Sequence, residues 1–173
     1  MPSLNFSTHF GDKAKTPTYF IEQILNADLP WQGAATMHRE ESFLKETLIE
    51  GKKLHTIRKG KRFKQGDLCH IFTGLRTRNA KKYGVTECLG VQHIIIRFDN
   101  TTAAQVENKK INPELVEVKV WVEGRALSPN EVETLAKNDG LKLGAFKRWF
   151  WKSTNRGESD FEGQIIHLTP LKY

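Results

Sequence analysis

The stretch Gly51-Lys52-Lys53-Leu54-His55-Thr56-Ile57-Arg58 joins two parts of the chain that differ in their apolar periodicity. Upstream, residues 38–50 carry apolar side chains at helical spacing, and Gly51 follows at a position where a helix commonly ends. Downstream, several short apolar segments are bounded by glycines and polar residues, as is typical of strands. The stretch is therefore predicted to lead from a helix into a β-rich region.

Positive charge is concentrated in and just after this stretch. Between positions 52 and 64 there is no carboxylate, whereas there are seven cations: Lys52, Lys53, Arg58, Lys59, Lys61, Arg62 and Lys64. The chain as a whole has a net charge of +7. A local positive field of this kind favours an anionic ligand, and nucleic acid or another phosphate-bearing partner is favoured over an acidic protein surface. The predicted ligand contacts in this region are Lys52, His55, Arg58, Lys61 and Arg62.

A second basic segment lies in a predicted loop over residues 74–84. Its cations are Arg76, Arg78, Lys81 and Lys82. Two interpretations remain open for them: the loop follows a phosphate backbone, with Arg76 and Arg78 as contacts, or its cations are simply solvated.

The length of 173 residues and the apolar content of 38% predict one domain with one core. Cys69 and Cys88 have neither the number nor the short spacing of a disulfide framework or a zinc site, so they are interpreted as buried small hydrophobes. The histidines form no i,i+4 pair, and we expect no metal and no cofactor. No apolar run approaches the roughly 20 residues of a membrane span and no signal peptide is recognisable, so we expect a cytoplasmic protein.

The remaining elements follow from periodicity and capping signals. Strands are predicted at residues 4–10, 67–73, 88–98, 115–122 and 164–168, and the fourth of these has the clearest alternation. Helices are predicted from Thr16-Pro17 through Leu25, at 38–50, from Ser128 to about Lys137, and at 143–151. Asp139-Gly140 is predicted to turn the chain between the last two helices.

Strands joined by hairpins and interrupted by helices predict an α+β protein, built as a small, mostly antiparallel β-barrel with helices packed around it. Residues 1–50 are interpreted as a helical elaboration and residues 51–173 as the barrel that carries the basic motif.

The motif resembles that of the ASCH domains, which belong to the PUA-like β-barrel superfamily. The resemblance rests on Gly51, Lys53 and Thr56-Ile57-Arg58 at fixed spacing, followed by Gly66-Asp67 and a strand. It extends to Asp139-Gly140 ahead of an aromatic-rich helix, and it covers the chain from Gly51 onward. The resemblance implies a PUA-like barrel.

The residue at position 56 restricts the resemblance to one group of ASCH domains. Many ASCH domains have a glutamate where this chain has Thr56, whereas the threonine form is similar to that of small ASCH amidohydrolases that remove the acetyl group from acetylcytidine nucleosides. Those enzymes are proposed to use a lysine, a threonine and a glutamate. The resemblance assigns these roles to Lys53, Thr56 and, one methylene shorter, Asp139.

Such chemistry makes physical sense for these residue types. A threonine hydroxyl is a weak nucleophile until a base takes its proton, and a lysine can act as that base only in its neutral form. The nearby cations Lys52, Arg58 and Lys61 are expected to lower the pKa of Lys53 by like-charge repulsion. Asp139 could then orient the lysine or exchange protons with the leaving amine, and Arg58 could hold a phosphate or an oxyanion.

Structural interpretations of the same residues remain open. Lys53 and Arg58 could be solvated loop cations, Thr56 an ordinary strand residue, and Asp139 a turn former. His55 could contact a ligand or lie in the barrel wall. Phe146 and Phe150 are predicted to be core, while Trp151 is a candidate for base stacking.

Three function hypotheses follow. The first is a module that binds RNA or a nucleotide, the second an amidohydrolase acting on an acylated nucleoside, and the third a protein-interaction domain that uses neither Lys53 nor Thr56.

Overall fold

The computed structural model of the protein describes residues 2–11, 15–27, 29, 51–99, 106–107, 110–156 and 159–173. The predicted helix at 38–50 lies outside the described residues, so the structure neither supports nor contradicts it.

A five-stranded sheet forms the centre of the described structure. Its strands are β2 (His55–Lys59), β5 (Gly90–Asp99), β8 (Glu117–Val122), β9 (Arg125–Ala126) and β10 (Phe161–His167). They lie in the order β2-β10-β5-β8-β9, and every neighbouring pair is antiparallel. Ile94 and Ile96 of β5 and Val120 and Val122 of β8 are fully buried, which agrees with the two-residue period of strand side chains.

A second sheet has three strands: β1 (Ser3–Phe6), β3 (Leu68–Thr73) and β4 (Lys81–Glu87), in the order β1-β3-β4. β3 and β4 are antiparallel, but β1 pairs with β3 in parallel, which was not predicted. β6 (Val106–Glu107) and β7 (Lys110–Ile111) form a separate hairpin. The α+β class and the mostly antiparallel pairing are confirmed, while the strand pairings within the described ranges do not close a barrel.

Three helices complete the described part: α1 (Phe20–Leu25), α2 (Pro129–Asn138) and α3 (Leu143–Ser153). α2 begins with the predicted capping box, in which Ser128 and Glu131 each bond the other's backbone N–H. Phe146 and Phe150 of α3 are buried, as predicted. None of these helices has the length and apolar character needed to cross a bilayer.

The predicted start of the first helix at Thr16-Pro17 is wrong. The Phe10 N–H bonds the Thr16 carbonyl at 2.9 Å, and the Thr18 N–H bonds the Thr8 carbonyl at 3.0 Å. This pairing holds residues 16–18 in extended structure, so α1 begins only at Phe20. A local capping signal has thus been overridden by pairing with a segment several residues upstream.

The predicted loop at 74–84 is also too long, because Lys81 and Lys82 belong to β4. Their backbones pair with Thr73 and Phe72 of β3, past an irregularity between Ile71 and Phe72. The loop proper is shorter and keeps Arg76 and Arg78.

Close contact between β10 and β2 fixes the position of the basic motif. A Cβ on Gly163 would lie 2.2 Å from the Arg58 carbonyl oxygen, so no side chain fits there. β10 can therefore approach β2 closely enough to hold it against the core. Cys69 and Cys88 are buried and free, as predicted.

Candidate functional site

Lys53 points into the protein instead of into solvent. Its side chain is almost fully buried, with 1% of the residue exposed. Gly51, with φ of +102°, turns the chain ahead of it. The Lys53 N–H then bonds the Gln23 carbonyl at 3.0 Å, and the Leu54 N–H bonds the Asn138 carbonyl at 2.8 Å. These bonds attach the start of the motif to α1 and to the end of α2.

Asp139 is the partner of the buried lysine. Lys53 Nζ lies 2.5 Å from Asp139 Oδ1, and it also donates to the main-chain carbonyl of Asp139. The two residues are 86 positions apart in sequence. Asp139 caps the C-terminus of α2, and Gly140 follows with a positive φ of 78°, so the predicted turn role is also real.

Aromatic rings surround the ammonium group. Lys53 Nζ lies 4.4 Å from the ring centre of Phe20 and 5.8 Å from that of Phe6. The Arg58 guanidinium packs over the Phe6 ring, 4.9 Å from the ring centre. It also donates a hydrogen bond to the Asn5 carbonyl at 2.8 Å. The pair is thus enclosed in an apolar setting with a second cation near it.

This environment disfavours both charged forms. Burial, with a smaller contribution from Arg58, lowers the pKa of Lys53 to about 8 against the opposing attraction of Asp139. Burial likewise raises the pKa of Asp139, although Lys53 and Arg58 oppose that change. The pKa of Lys53 was predicted to fall, but chiefly through neighbouring cations. Burial is the larger cause, and of the three predicted cations only Arg58 contributes to it.

A cavity of about 20 Å³ lies beside the pair. Its lining consists of Phe6, Ser7, Phe20, Lys53, Thr56, Ile57, Arg58, Asp139 and Trp149. Lys53 precedes β2, whereas Thr56 lies within it, so strict strand alternation does not separate their side chains. The three residues predicted to be catalytic therefore meet at one cavity, which has room for a group about the size of one water molecule.

A larger cleft of about 610 Å³, which we call the aromatic cleft, adjoins this cavity. It is lined by Ser7, His9, Phe10, Gly11, Thr16, Pro113, Ala145, Arg148, Trp149, Trp151, Lys152 and Ser153. Ser7 and Trp149 border both spaces. The candidate stacking residue Trp151 lies here, mostly buried, with its ring edge-on to Phe98 at 5.2 Å.

His55 lies away from the cavity. It is fully buried in β2, and its ring packs against His167 and Tyr173. The Tyr173 hydroxyl lies 3.2 Å from His55 Nδ1 and accepts a bond from Asn138 Nδ2 at 2.8 Å. Burial lowers the pKa of His55 well below its ordinary value. His55 is therefore an interior residue of the sheet, as in the structural interpretation of the sequence, and it does not line the cavity.

The other predicted ligand contacts divide into two groups. Lys52, Lys61 and Arg62 are exposed and do not line the cavity, and Lys61 lies 3.5 Å from Glu162. Arg76 and Arg78 are exposed on the β3–β4 loop, which is attached to Asn5 through a 3.0 Å bond from the Leu75 N–H to the side chain. Since Arg58 bonds the backbone of the same Asn5, this loop lies beside the site.

Ser7 and Phe6 reach the site without having been predicted for it. They lie at and just after the end of β1, and only the parallel pairing of β1 with β3 brings them to the motif. No short-range pattern in the sequence announces that pairing. Trp149 belongs to the aromatic-rich helix that follows Asp139-Gly140, but its position between the two spaces depends on where α3 packs.

Within the described ranges, no group of three or more histidine, cysteine or carboxylate side chains is arranged to hold a metal ion. Comparison with protein-family models found no matching family. Comparisons with curated proteins and with solved structures also found no match.

Proposed function

We propose that the protein is an amidohydrolase that removes an acyl group from the exocyclic nitrogen of a modified cytidine. The observation that carries the proposal is the buried Lys53–Asp139 pair beside Thr56 at one small cavity. The resemblance of the motif to ASCH amidohydrolases supports the substrate class, and membership of the PUA-like superfamily is part of the same proposal. A plain binding site has no need of a buried lysine with a lowered pKa, whereas a general base does.

In the first step, neutral Lys53 takes the hydroxyl proton of Thr56 while Thr56 Oγ1 attacks the acyl carbonyl carbon. A neutral amine has two N–H groups and one lone pair. Because Asp139 offers Lys53 two acceptor oxygens, it can hold both N–H groups and leave the lone pair for the proton.

In the second step, the tetrahedral intermediate collapses and the carbon–nitrogen bond breaks. The Lys53 ammonium returns the proton to the leaving nitrogen, which releases cytidine and leaves the acyl group on Thr56 as an ester. Water then attacks the ester carbonyl, gives one proton to Lys53, and releases the carboxylic acid as Thr56 recovers its hydroxyl proton. The sum is amide plus water giving amine plus acid.

Arg58 and the surrounding rings supply the electrostatic setting. The Arg58 guanidinium lines the cavity and can stabilise the negative charge that develops on the acyl oxygen. The rings of Phe6 and Phe20 exclude water from Lys53, and this exclusion keeps its neutral form accessible near pH 8.

The pH dependence of hydrolysis tests the base role. Since only neutral Lys53 accepts a proton and its pKa is about 8, we expect kcat/KM for acetylcytidine to rise with pH and level off above about 8. At two units below the pKa the rate should be about 1% of the plateau. The measurement is initial rates by chromatography between pH 5.5 and 9.5, corrected for uncatalysed hydrolysis. A profile that falls with increasing pH would show that the ammonium is the active form and would rule out this base.

A second candidate function, binding of RNA or a nucleotide without chemistry, is supported by the attachment of the Arg76 and Arg78 loop to Asn5 beside Arg58. It predicts RNA affinity that falls linearly with salt on logarithmic axes. Neutralising Arg76 should reduce the slope by about one. Titration of labelled RNA at several salt concentrations measures this, with Arg125→Gln, an exposed cation on β9, as control. An unchanged slope for Arg76→Gln would remove the loop from any RNA site.

A further inference from the structure

The aromatic cleft has the dimensions and composition of a small-molecule site. Its volume of about 610 Å³ falls within the usual range for such sites, roughly 300–1,000 Å³. Phe10 and Trp149 are only partly buried, and they meet edge-to-face with ring centres 6.0 Å apart. Rings that are held in place at a cleft wall offer π surfaces to a planar heterocycle.

Two cationic side chains, Arg148 and Lys152, line the cleft. Among the described residues of the lining there is no carboxylate, and His9 is also present. Arg148 and Lys152 lie four residues apart on α3 and therefore project from the same side of the helix. Arg148 is held in place by the Glu114 carboxylate. The Ser153 hydroxyl also lines the cleft and can donate to an oxyanion, whereas the Ser7 hydroxyl donates to the His9 carbonyl at 2.6 Å.

The cleft adjoins the small cavity, because Ser7 and Trp149 line both spaces. The cavity itself has room only for a group about the size of one water molecule, so most of any substrate must lie outside it. The aromatic cleft shares lining residues with the cavity and is large enough to hold the rest of a nucleotide. A substrate whose amide lies at Lys53 would therefore extend along Trp149 toward Lys152.

We infer that the aromatic cleft recognises a phosphate, so that the substrate is an acylated cytidine nucleotide and not the free nucleoside. This inference rests on the proposed function for the acyl group. The recognised chemistry is a pyrimidine ring with a phosphate attached through its ribose, whether that phosphate belongs to a mononucleotide or to an RNA strand.

Kinetics with two substrates test the inference. For acetylcytidine 5′-monophosphate, Lys152→Gln should raise KM about tenfold, the loss expected for one charge-assisted contact, whereas KM for acetylcytidine should not change. Lys142→Gln, which removes an exposed lysine at the other end of α3, is the matched control and should change neither value. Equal KM values for the two substrates in the unmodified protein, or equal effects of Lys152→Gln on both, would overturn the inference.

Binding measured without turnover separates this inference from the proposed function. Titration with unacylated cytidine 5′-monophosphate and with cytidine, followed by tryptophan fluorescence, should show at least tenfold tighter binding of the monophosphate. That preference should disappear in Lys152→Gln even if no hydrolysis is detected. Equal affinities would contradict the inference whatever the hydrolysis result. A short RNA that contains one acetylcytidine distinguishes the two sources of the phosphate. A lower KM for the RNA than for acetylcytidine 5′-monophosphate assigns the phosphate to an RNA strand, and a lower KM for the monophosphate assigns it to a free nucleotide.

Discussion

Replacing Lys53 with methionine is expected to reduce kcat for acetylcytidine hydrolysis by about a thousandfold or more. Methionine fills a similar volume but has no amine to take the Thr56 proton, and loss of a positioned general base costs roughly 10²- to 10⁴-fold. Partial loss of the ordering of Asp139 adds to this effect, since Lys53 donates to both its carboxylate and its main-chain carbonyl, while the Ile57 backbone N–H still bonds the carboxylate. Chromatographic detection of released cytidine measures the change.

Lys137→Met is the matched control, because Lys137 is an exposed lysine on α2 two residues before Asp139. It should retain full activity. Far-ultraviolet circular dichroism and urea unfolding of both variants show whether the fold is preserved. If folded Lys53→Met hydrolysed acetylcytidine at the rate of Lys137→Met, Lys53 would have no part in the chemistry and the hydrolase proposal would fail.

Replacing Asp139 with asparagine is expected to lower the free energy of unfolding by about 3–5 kcal/mol at pH 6, because it leaves a buried ammonium without its counterion. The sign of the pH dependence follows from the lysine. Its folded-state pKa, about 8, is below its ordinary value of 10.5, so the unfolded chain binds more protons between these values and stability rises with pH there. Asp139 raises the pKa of Lys53, so the Asp139→Asn variant should have a lower Lys53 pKa, and its stability should rise with pH over a wider range. The loss of unfolding free energy caused by the substitution should therefore be smaller at pH 9 than at pH 6.

Urea unfolding at both pH values measures the loss of unfolding free energy, and two further variants serve as controls. Asp160→Asn removes a carboxylate from the exposed pair with Arg97 and should cost no more than about 1 kcal/mol. The double variant Lys53→Met with Asp139→Leu replaces the pair by apolar groups and should recover most of the lost stability. A loss in Asp139→Asn no larger than that in Asp160→Asn would mean that Lys53 is not charged in the folded protein at pH 6.

Much of the fold follows from local sequence. Ser128 and Glu131 define the start of α2 by their spacing alone. The alternation of residues 115–122 predicts a strand, and the structure has β8 at Glu117–Val122. Both signals are short-range, and no distant segment competes with them. The Thr16-Pro17 signal was equally good locally but failed, since hydrogen bonds between residues 16–18 and residues 8–10 stabilise an extended form that a helix-capping argument does not include.

Three residues that line the cavity could be predicted together from the sequence, but the rest of its lining and its energetics could not. The motif supplies Lys53 and Thr56, and the resemblance supplies Asp139, yet nothing in the sequence between them fixes a 2.5 Å contact. The predicted cause of the lysine pKa shift was also incomplete. Lys52 and Lys61 point to solvent, where their charges are screened, whereas burial by Phe6 and Phe20 depends on elements upstream of the motif. Burial is a tertiary property that a list of sequence neighbours does not contain.

The parallel pairing of β1 with β3 has a consequence for the timing of folding. Contacts between sequence-distant segments form slowly, because each must close a long loop. The site needs two such closures: Phe6 of β1 must reach the motif, and Asp139 must reach Lys53 across 86 residues. Until both have occurred, Lys53 is an ordinary hydrated cation. Lys53 therefore acquires its burial and its lowered pKa only after both closures, when the walls that restrict what can reach it are already in place.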